Sequence, residues 1–558
     1  MRFHQAGAAR RRRTHVRGRI MPTPASSTTS PANTVYDCIV LGAGISGVTA
    51  ARDLQAAGLK VLLLEGASRI GGRMYSRRDI VKKSGKPVPV EGGAEYIHIA
   101  EQDRYLEFWR EVRKHGFTTS PFHKCGMGLL KIPRNRMFFS PWQRTKMLAE
   151  VIIQPEFWSM PDALQKIQEF DAATKADMTT ATFIKRYAEK NDLSKRALAL
   201  LEYTLSAHTP GPLNEISIAG LKTDAIVDQL MERKELRMEH DAVKPFGLCG
   251  FDTLPEKIAE EFRKAGGKIE KSRSGSTGRK VVKVERLSDG KVAVTTAGGT
   301  VFRGRSAVCT FSAGMLNPDS GEGDAIFGPL LTPRKREALG LVRMGAITKF
   351  SLEFKERVWV DDGGESSGHM SVLSNPQGKA RTFFSSFPKE HHGPHVLTGL
   401  LMNQDHDQIA GMDDEAAIAH VFEAIGRIYG RNRRWTQKAV LVGKTDRSGK
   451  FRPNYLRQDW SKDPFAKGGN SYLAFAPRRQ GRMLAKEARE ALKDPRETLP
   501  LFWAGEAVAP AYDRHYQPLA VHGAYITGRR VAEDLLHFLN DDGGDPAKFG
   551  RYYALRYL

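Results

Sequence analysis

Cysteine is scarce: only Cys38, Cys125, Cys249 and Cys309 occur among 558 residues. They lie far apart and without metal-ligand spacing, so neither a disulfide framework nor a metal centre is expected. Cys38 and Cys309 each sit inside an apolar strand pattern, where a buried free thiol is the ordinary outcome. A reducing compartment and a soluble, cytoplasmic protein follow as expectations. Long apolar runs are also missing. No stretch reaches the roughly 18–20 consecutive apolar residues that a membrane helix needs. The carboxyl terminus, from Asn540 to Leu558, is polar and then aromatic-basic, so no stable membrane insertion is expected. Internal repeats are absent too.

Acid is missing from the first 34 residues, which hold seven arginines between Arg2 and Arg19 amid Ser, Thr, Pro and Ala. Such a segment predicts disorder. It is arginine-rich and acid-free like a transit peptide, yet lacks the apolar core of a secretory signal. A translated leader before a start at Met21 accounts for it equally. The formal charge of the whole chain is +23, and the residues after this leader still carry +16. No nucleic-acid-binding motif accompanies that charge, so a basic soluble surface is expected and nucleic acid is not an expected partner.

What is present begins with a βαβ unit. Tyr36–Leu41 reads as a short apolar strand and leads into Gly42-Ala43-Gly44-Ile45-Ser46-Gly47. A helix pattern with Val48, Ala51, Leu54 and Gln55 follows and ends at Gly58. Lys60–Leu64 then makes a second strand that delivers Glu65. Gly42 allows the tight turn, Gly44 lets a pyrophosphate approach the backbone, and Gly47 permits close helix–strand packing. The helix amino terminus, with Ser46 in its first turn, attracts phosphates through unpaired N–H groups and its dipole. The carboxylate of Glu65 accepts from ribose hydroxyls, so a dinucleotide is expected here.

Further along, the region from Asp103 to about Ala242 reads as mostly helical. Val281–Leu287 and Val292–Thr296, joined by Ser288-Asp289-Gly290-Lys291, predict a hairpin. Ala307–Phe311 is another short buried strand, and Leu501–Leu539 reads as strand, loop and helix. The dinucleotide elements therefore recur in three separated blocks, which suggests a second domain inserted twice into the first.

A second layer of motifs sharpens the cofactor. Arg69-Ile70-Gly71-Gly72-Arg73 sets two glycines between arginines, a backbone able to lie under a flat ring with guanidinium groups for phosphate or carbonyl oxygens. With the βαβ unit, this segment resembles the amino-terminal fingerprint of the flavin-containing amine oxidoreductases, the family of monoamine and polyamine oxidases. Glu91–His98 resembles the family's stretch beside the flavin, with Gly93 and Ala94 as the implied contacts. Leu501–Glu506 is similar to its carboxy-terminal strand, whose Gly505 and Glu506 would contact the cofactor. His522–Arg530 resembles the E-G-A-x-x-S-G signature, with His522 in place of Glu and Thr527 in place of Ser. By the same resemblance Val282, in the hairpin, and Val521 join the cofactor contacts. The likeness spans about residues 36–540.

The resemblance implies an α/β fold: a Rossmann-type FAD-binding domain with an interleaved α+β substrate-binding domain, the two-domain architecture of amine oxidases and p-hydroxybenzoate hydroxylase. The expected division is a basic leader over 1–34, FAD-binding parts over 35–98, 243–325 and 459–540, and substrate-binding parts over 99–242 and 326–458. A tail covers 541–558. FAD is expected to be non-covalent, because Lys467-Gly468-Gly469-Asn470-Ser471-Tyr472 carries no cysteine where some relatives have one.

Lys349 lies in a strand pattern that puts Ile347, Lys349 and Ser351 on one face. From the residues alone, a solvated edge strand and a catalytic lysine both fit, since a buried lysine needs something to solvate it. The family favours the second, a lysine that holds a water against the reactive ring nitrogen. Many members also flank the amine with two aromatic rings. Tyr472 supplies one wall here; the other position falls near Ala520, so the cage looks open, with Tyr512, His515 or Tyr516 as nearby substitutes. His98 falls where polyamine oxidases carry a polar residue near the amine. The implied reaction is oxidation of a small-molecule amine with O2 as acceptor and peroxide as product. Because a positively charged protein does not steer polycations towards itself, a bulky hydrophobic monoamine or a carboxylate-bearing amine is expected rather than a free polyamine. An amine dehydrogenase with a quinone or protein acceptor, a polyamine oxidase, an L-amino-acid oxidase and a partner-binding flavoprotein stand as alternatives, and homo-oligomer formation is left open.

Overall fold

The computed structural model describes residues 34–98, 106–117, 119–121, 155–170, 176–206, 209–224, 235–238, 250–358, 369–371, 382–386, 394–429, 434–477, 483–509 and 519–557. Residues 1–33 of the basic leader lie outside them.

A mixed sheet forms the first layer. Its strands are β1 (Val35–Leu41), β2 (Val61–Glu65), β3 (Lys268–Lys271), β4 (Val281–Arg286), β5 (Val292–Thr296), β6 (Val301–Cys309) and β7 (Leu501–Trp503). The order is β3-β2-β1-β6-β5-β4, with β7 pairing the end of β6. Strands β3, β2, β1, β6 and β7 run parallel, whereas β4 and β5 form the predicted antiparallel hairpin and continue into β6. Strand β6 therefore serves both patterns. The sheet gathers strands from three distant stretches of chain, the interleaving that the motif order suggested. Cys38 and Cys309 are buried in β1 and β6, and burial pushes both thiols up to about 12, so neither is a reactive thiolate at neutral pH.

Helix α1 (Ile45–Ala56) follows β1 and buries Val48, Ala51 and Leu54, the predicted apolar positions. Helix α2 (Val521–Leu536) packs along it, and Gly528 is required there: a Cβ would stand 2.3 Å from the Ser46 carbonyl oxygen. Residues 541–557, set apart above within a tail, are not loose. They include a helix, Pro546–Tyr557, whose Phe549 and Tyr553 are buried in the core shared by α1 and α2.

A second, antiparallel sheet has the order 369–371, 382–385, 395–402, 347–354, 455–459. The strand Ile347–Phe354 is flanked on both sides and buried at all eight positions, which excludes the solvated-edge reading of Lys349. Side chains alternate along it. Phe350, Leu352 and Phe354 pack with Val421 and Ile425 of the helix Asp414–Tyr429, and Ile347 and Lys349 face the other way. The helical region is present as Pro155–Gln168, Thr180–Lys190, Lys195–Ser206 and Ile218–Thr223 around one apolar cluster. It departs from the expectation at Thr119–Pro121 and Glu235–Met238, which form a small antiparallel sheet in which Glu235–Met238 is the central strand, between Thr119–Pro121 and Tyr96–His98. No helix among the described residues is long and apolar enough to cross a membrane.

Candidate cofactor and substrate cavity

One elongated cavity, of about 370 Å³, runs from the carboxyl ends of the parallel strands to the second sheet. Parallel α/β sheets bind ligands at such strand ends, where the chain leaves the sheet in loops. Gly42 after β1, Glu65 ending β2, Thr310 after β6 and Gly505 after β7 all line it.

The glycine turn is built as its spacing requires. Gly42 has φ +98°, a left-handed backbone that disfavours other residues. A Cβ on Gly47 would stand 1.9 Å from the Gly42 carbonyl oxygen, so this position must be glycine for α1 to sit against the turn. At Gly44 nothing lies within 4 Å of a Cβ, because that side opens on the cavity. Ser46 is buried in the first turn of α1, and its Oγ has no hydrogen-bond partner. An orphaned hydroxyl beside free helix N–H groups and an open glycine is the donor set that a pyrophosphate needs. The residues fit a dinucleotide.

Glu65 also has a structural part in the turn. Its Oε2 accepts from the Ala43 N–H at 2.7 Å and its Oε1 from the Ala67 N–H at 2.7 Å, which ties the glycine turn to the end of β2. Burial raises its carboxyl against the pull of these bonds, so further donors at the cavity would stabilise the charged form. The Arg69–Arg73 segment folds against the turn through the Gly71 N–H, which donates to Ala43 O at 2.9 Å. The Arg69 guanidinium lies 4.5 Å from the centre of the Tyr75 ring, and Arg73 Nη1 donates to Glu506 Oε1 at 2.8 Å and to Gly469 O at 2.5 Å.

At the other end, cross-strand pairs make the wall. Ile347 lies opposite Met402 and Lys349 opposite Leu400, and all four line the cavity together with Phe384 and Trp460. Lys349 Nζ donates to Glu95 Oε2 at 2.6 Å, with both side chains buried. A lone ammonium would be costly here; the carboxylate compensates it. Behind Glu95, the buried Glu91 accepts from Ser76 Oγ at 2.6 Å and from the Phe251 N–H at 2.9 Å. Burial, with Glu95 adding to it, pushes the Glu91 carboxyl up to about 7 despite those bonds.

Of the residues expected from sequence, Gly42, Gly44, Ser46, Glu65, Arg69, Gly72, Arg73, Gly93, Ala94, Lys349, Gly505, Glu506, Ala520 and Val521 line this one cavity. Gly47 stands just behind it. Two expectations need correction. Val281, not Val282, faces the cavity; Val282 is 38% exposed, because alternate residues of β4 point to opposite sides of the sheet. Tyr472 does not line the cavity. Its ring packs where a Gly211 Cβ would fall within 2.6 Å, and its hydroxyl donates to Glu215 Oε2 at 2.8 Å, the partner a buried phenol needs. Tyr512, His515 and Tyr516 lie outside the described residues, as does the side chain of His98, whose backbone ends a strand. Sequence reasoning missed Glu95, Phe384, Leu400, Met402 and Trp460. A carboxylate beside the family's Gly-Ala stretch was the one available signal, for Glu95. Glu111, His115 and Glu261 have metal-like spacing elsewhere, but Arg52 and Lys114 already occupy those carboxylates at 2.6 and 2.7 Å.

Comparison with known proteins agrees with this geometry. The model of the family described as flavin containing amine oxidoreductase matches residues 45–536. Similar curated proteins include lysine-specific histone demethylase 1 homolog 2 of Oryza sativa subsp. japonica, 25% identical over 91% of this chain and 58% of its own length. Human lysine-specific histone demethylase 2 is 23% identical, over 90% of this chain and 53% of its own. The chain thus spans only a little over half the length of these relatives. Among solved structures, a putrescine oxidase bound to putrescine superposes with a TM-score of 0.62 at 15% identity, covering 90% of this chain and 99% of that one, a likeness of fold.

Proposed function

Since the chain belongs to the flavin-containing amine oxidoreductase family, with FAD as its cofactor, we propose that it oxidatively deaminates a bulky primary or secondary amine with O2 as the final acceptor. The observation that carries the reading is the buried Lys349–Glu95 pair at the apolar end of a cavity whose other end is a dinucleotide cradle. Gly42, Gly44, Ser46, Glu65, Arg69, Arg73 and Glu506 would hold FAD, non-covalently, as the segment Lys467–Tyr472 has no cysteine. FAD, when bound, supplies a two-electron acceptor for the amine α C–H and a route for those electrons to oxygen.

The protein's part is to bind, desolvate and orient. Ile347, Phe384, Leu400, Met402 and Trp460 offer apolar surface that excludes water and favours the neutral amine. Lys349 presents N–H donors at the reacting end, and Glu95 holds them in direction. Among the described lining residues the cations are Arg69, Arg73, Lys280 and Lys349. Arg73, Lys280 and Lys349 are each paired with a carboxylate, and Arg69 lies over the Tyr75 ring. This favours the hydrophobic-monoamine half of the sequence expectation over a carboxylate-bearing amine or an L-amino acid. A second reading, a lysine-type amine carried on a peptide, has the names of the curated relatives in its favour.

An amine panel decides among these: apolar monoamines, spermine, putrescine, an L-amino acid and an N-methyl-lysine peptide, each assayed for peroxide in air and for flavin bleaching without oxygen. Bleaching by apolar monoamines with peroxide release is expected. Bleaching without peroxide would favour a dehydrogenase, and no bleaching by any amine would refute the reading. Lys349→Met should keep FAD bound and slow bleaching about 100-fold or more.

A further inference from the structure

Arg489 is among the most deeply buried side chains of the described protein, at 2% exposure, and does not itself line the cavity. It stands on the helix Ala485–Lys493. Its Nε and Nη2 donate to both oxygens of Asp224, each at 2.8 Å, and Asp224 ends the helix Ile218–Thr223 of the helical region. Its Nη1 donates to Ser471 Oγ at 2.8 Å and to Ala507 O at 2.9 Å. The Ser471 hydroxyl, accepting from Arg489, donates in turn to Glu506 Oε2 at 2.7 Å. Glu506 Oε1 accepts from Arg73 at 2.8 Å, and both Glu506 and Arg73 line the cavity. One guanidinium thus ties Asp224, 265 positions away, to the nearer Ser471 and Ala507, and the chain of bonds ends on the Glu506 carboxylate that lines the cavity.

A network of this kind is costly to bury unless every member is satisfied, and replacing it with apolar residues is often neutral or stabilising. Its place beside the cavity gives it a further use. We propose that Arg489 is a positioning residue for FAD, acting through Ser471 on Glu506. The inference rests on the FAD reading above. A carboxylate has about four lone-pair sites, and Arg73 and Ser471 use one on each oxygen, so the remaining ones are held in fixed directions for hydroxyl donors. The charged groups around Glu506 are Arg73, Arg489 and Asp224. Burial alone would raise the Glu506 carboxyl, but Arg73 and then Arg489 bring it below its ordinary range. Burial keeps Asp224 above its own, against the pull of Arg489.

The test measures FAD dissociation constants by flavin fluorescence between about pH 3.5 and 8, alongside apoprotein melting, for Ser471→Ala, Arg489→Lys and Arg489→Met. Ser471→Ala, the mildest change, is expected to weaken FAD binding about tenfold at neutral pH with little change in apoprotein melting. Arg489→Lys keeps a charge but loses the fork to Asp224, so it should weaken binding by a similar factor while FAD release stays at its original pH. Arg489→Met should also move FAD release to higher pH, because Glu506 then takes up its proton sooner. Unchanged affinity in Ser471→Ala and Arg489→Lys would overturn the inference, as would weakening that only tracks melting. Failure of the unsubstituted protein to bind FAD would instead remove the cofactor reading on which it rests.

Discussion

At the dinucleotide end of the cavity, the contacts come from strand ends and the turns that follow them; at the other end, Lys349 meets Glu95 across 254 positions of chain. The first end is backbone-rich: N–H groups, open glycines and carboxylates pinned by neighbouring amides. The second is a side-chain surface, raised by two antiparallel strands and closed by one ion pair. Backbone donors recognise a pyrophosphate common to many enzymes, whereas side chains on a sheet face vary freely without disturbing the ladder beneath. On the proposed function, the difference separates what would bind the cofactor from what would select the amine.

Substitutions can break this contrast. The largest effect is expected from Gly44→Val. The backbone there is already extended and a Cβ meets nothing within 4 Å, so the apoprotein should fold as before while FAD binding is lost. Flavin absorbance of the purified variant, with circular dichroism, checks both halves; a variant that keeps its flavin would contradict the placement of the pyrophosphate.

Glu95→Gln leaves the Lys349 ammonium buried without its counter-charge and should cost about 3–5 kcal/mol of stability. Adding Lys349→Met should restore much of it. If the double variant is no more stable than Glu95→Gln in urea unfolding, the two groups do not act as a pair.

Glu91 gives a pH signature. Its folded carboxyl keeps a proton up to about pH 7, whereas the unfolded chain loses it near the ordinary value of 4.5. The folded state therefore binds more protons between these limits, and this group's contribution falls as pH rises from 4.5 to 7. Glu91→Gln should remove that fall and be more stable than the unsubstituted protein at pH 8, by roughly 3 kcal/mol at most. Urea midpoints at pH 5 and pH 8 that shift equally in both proteins would count against it.

The smallest effect belongs to the apolar wall. Leu400→Ala should raise KM for apolar amines about tenfold while leaving FAD affinity unchanged. A loss of FAD instead would mean that this face belongs to the cofactor end.

The cofactor end was largely legible in the sequence because each of its parts is a local motif. Gly42–Gly47, Arg69–Arg73 and Gly505-Glu506 carry their geometry in a few adjacent residues, and the Rossmann frame carries them to one place. Register was harder: a single step along β4 separates Val281 from Val282, and both are valines. Tyr472 was misplaced for a related reason, since nothing near it in sequence announces Gly211 and Glu215, which take its ring and hydroxyl. The wall of Phe384, Leu400 and Met402 was invisible, because ordinary strand hydrophobics look alike whether they face a helix or a ligand.

The sequence by itself determined a dinucleotide turn and the strand character around Lys349, which follow from short-range pattern and the period of the backbone, and its resemblance to a known family added FAD and the two-domain fold. Only the tertiary structure decided that Lys349 is buried and paired with Glu95, that Arg489 stands behind Glu506, and which side of each strand faces the cavity. Those contacts follow from how the chain folds back on itself, across 254 positions for Lys349 and Glu95 and 265 for Arg489 and Asp224, and a charge is stabilised or penalised by what lies next to it in space.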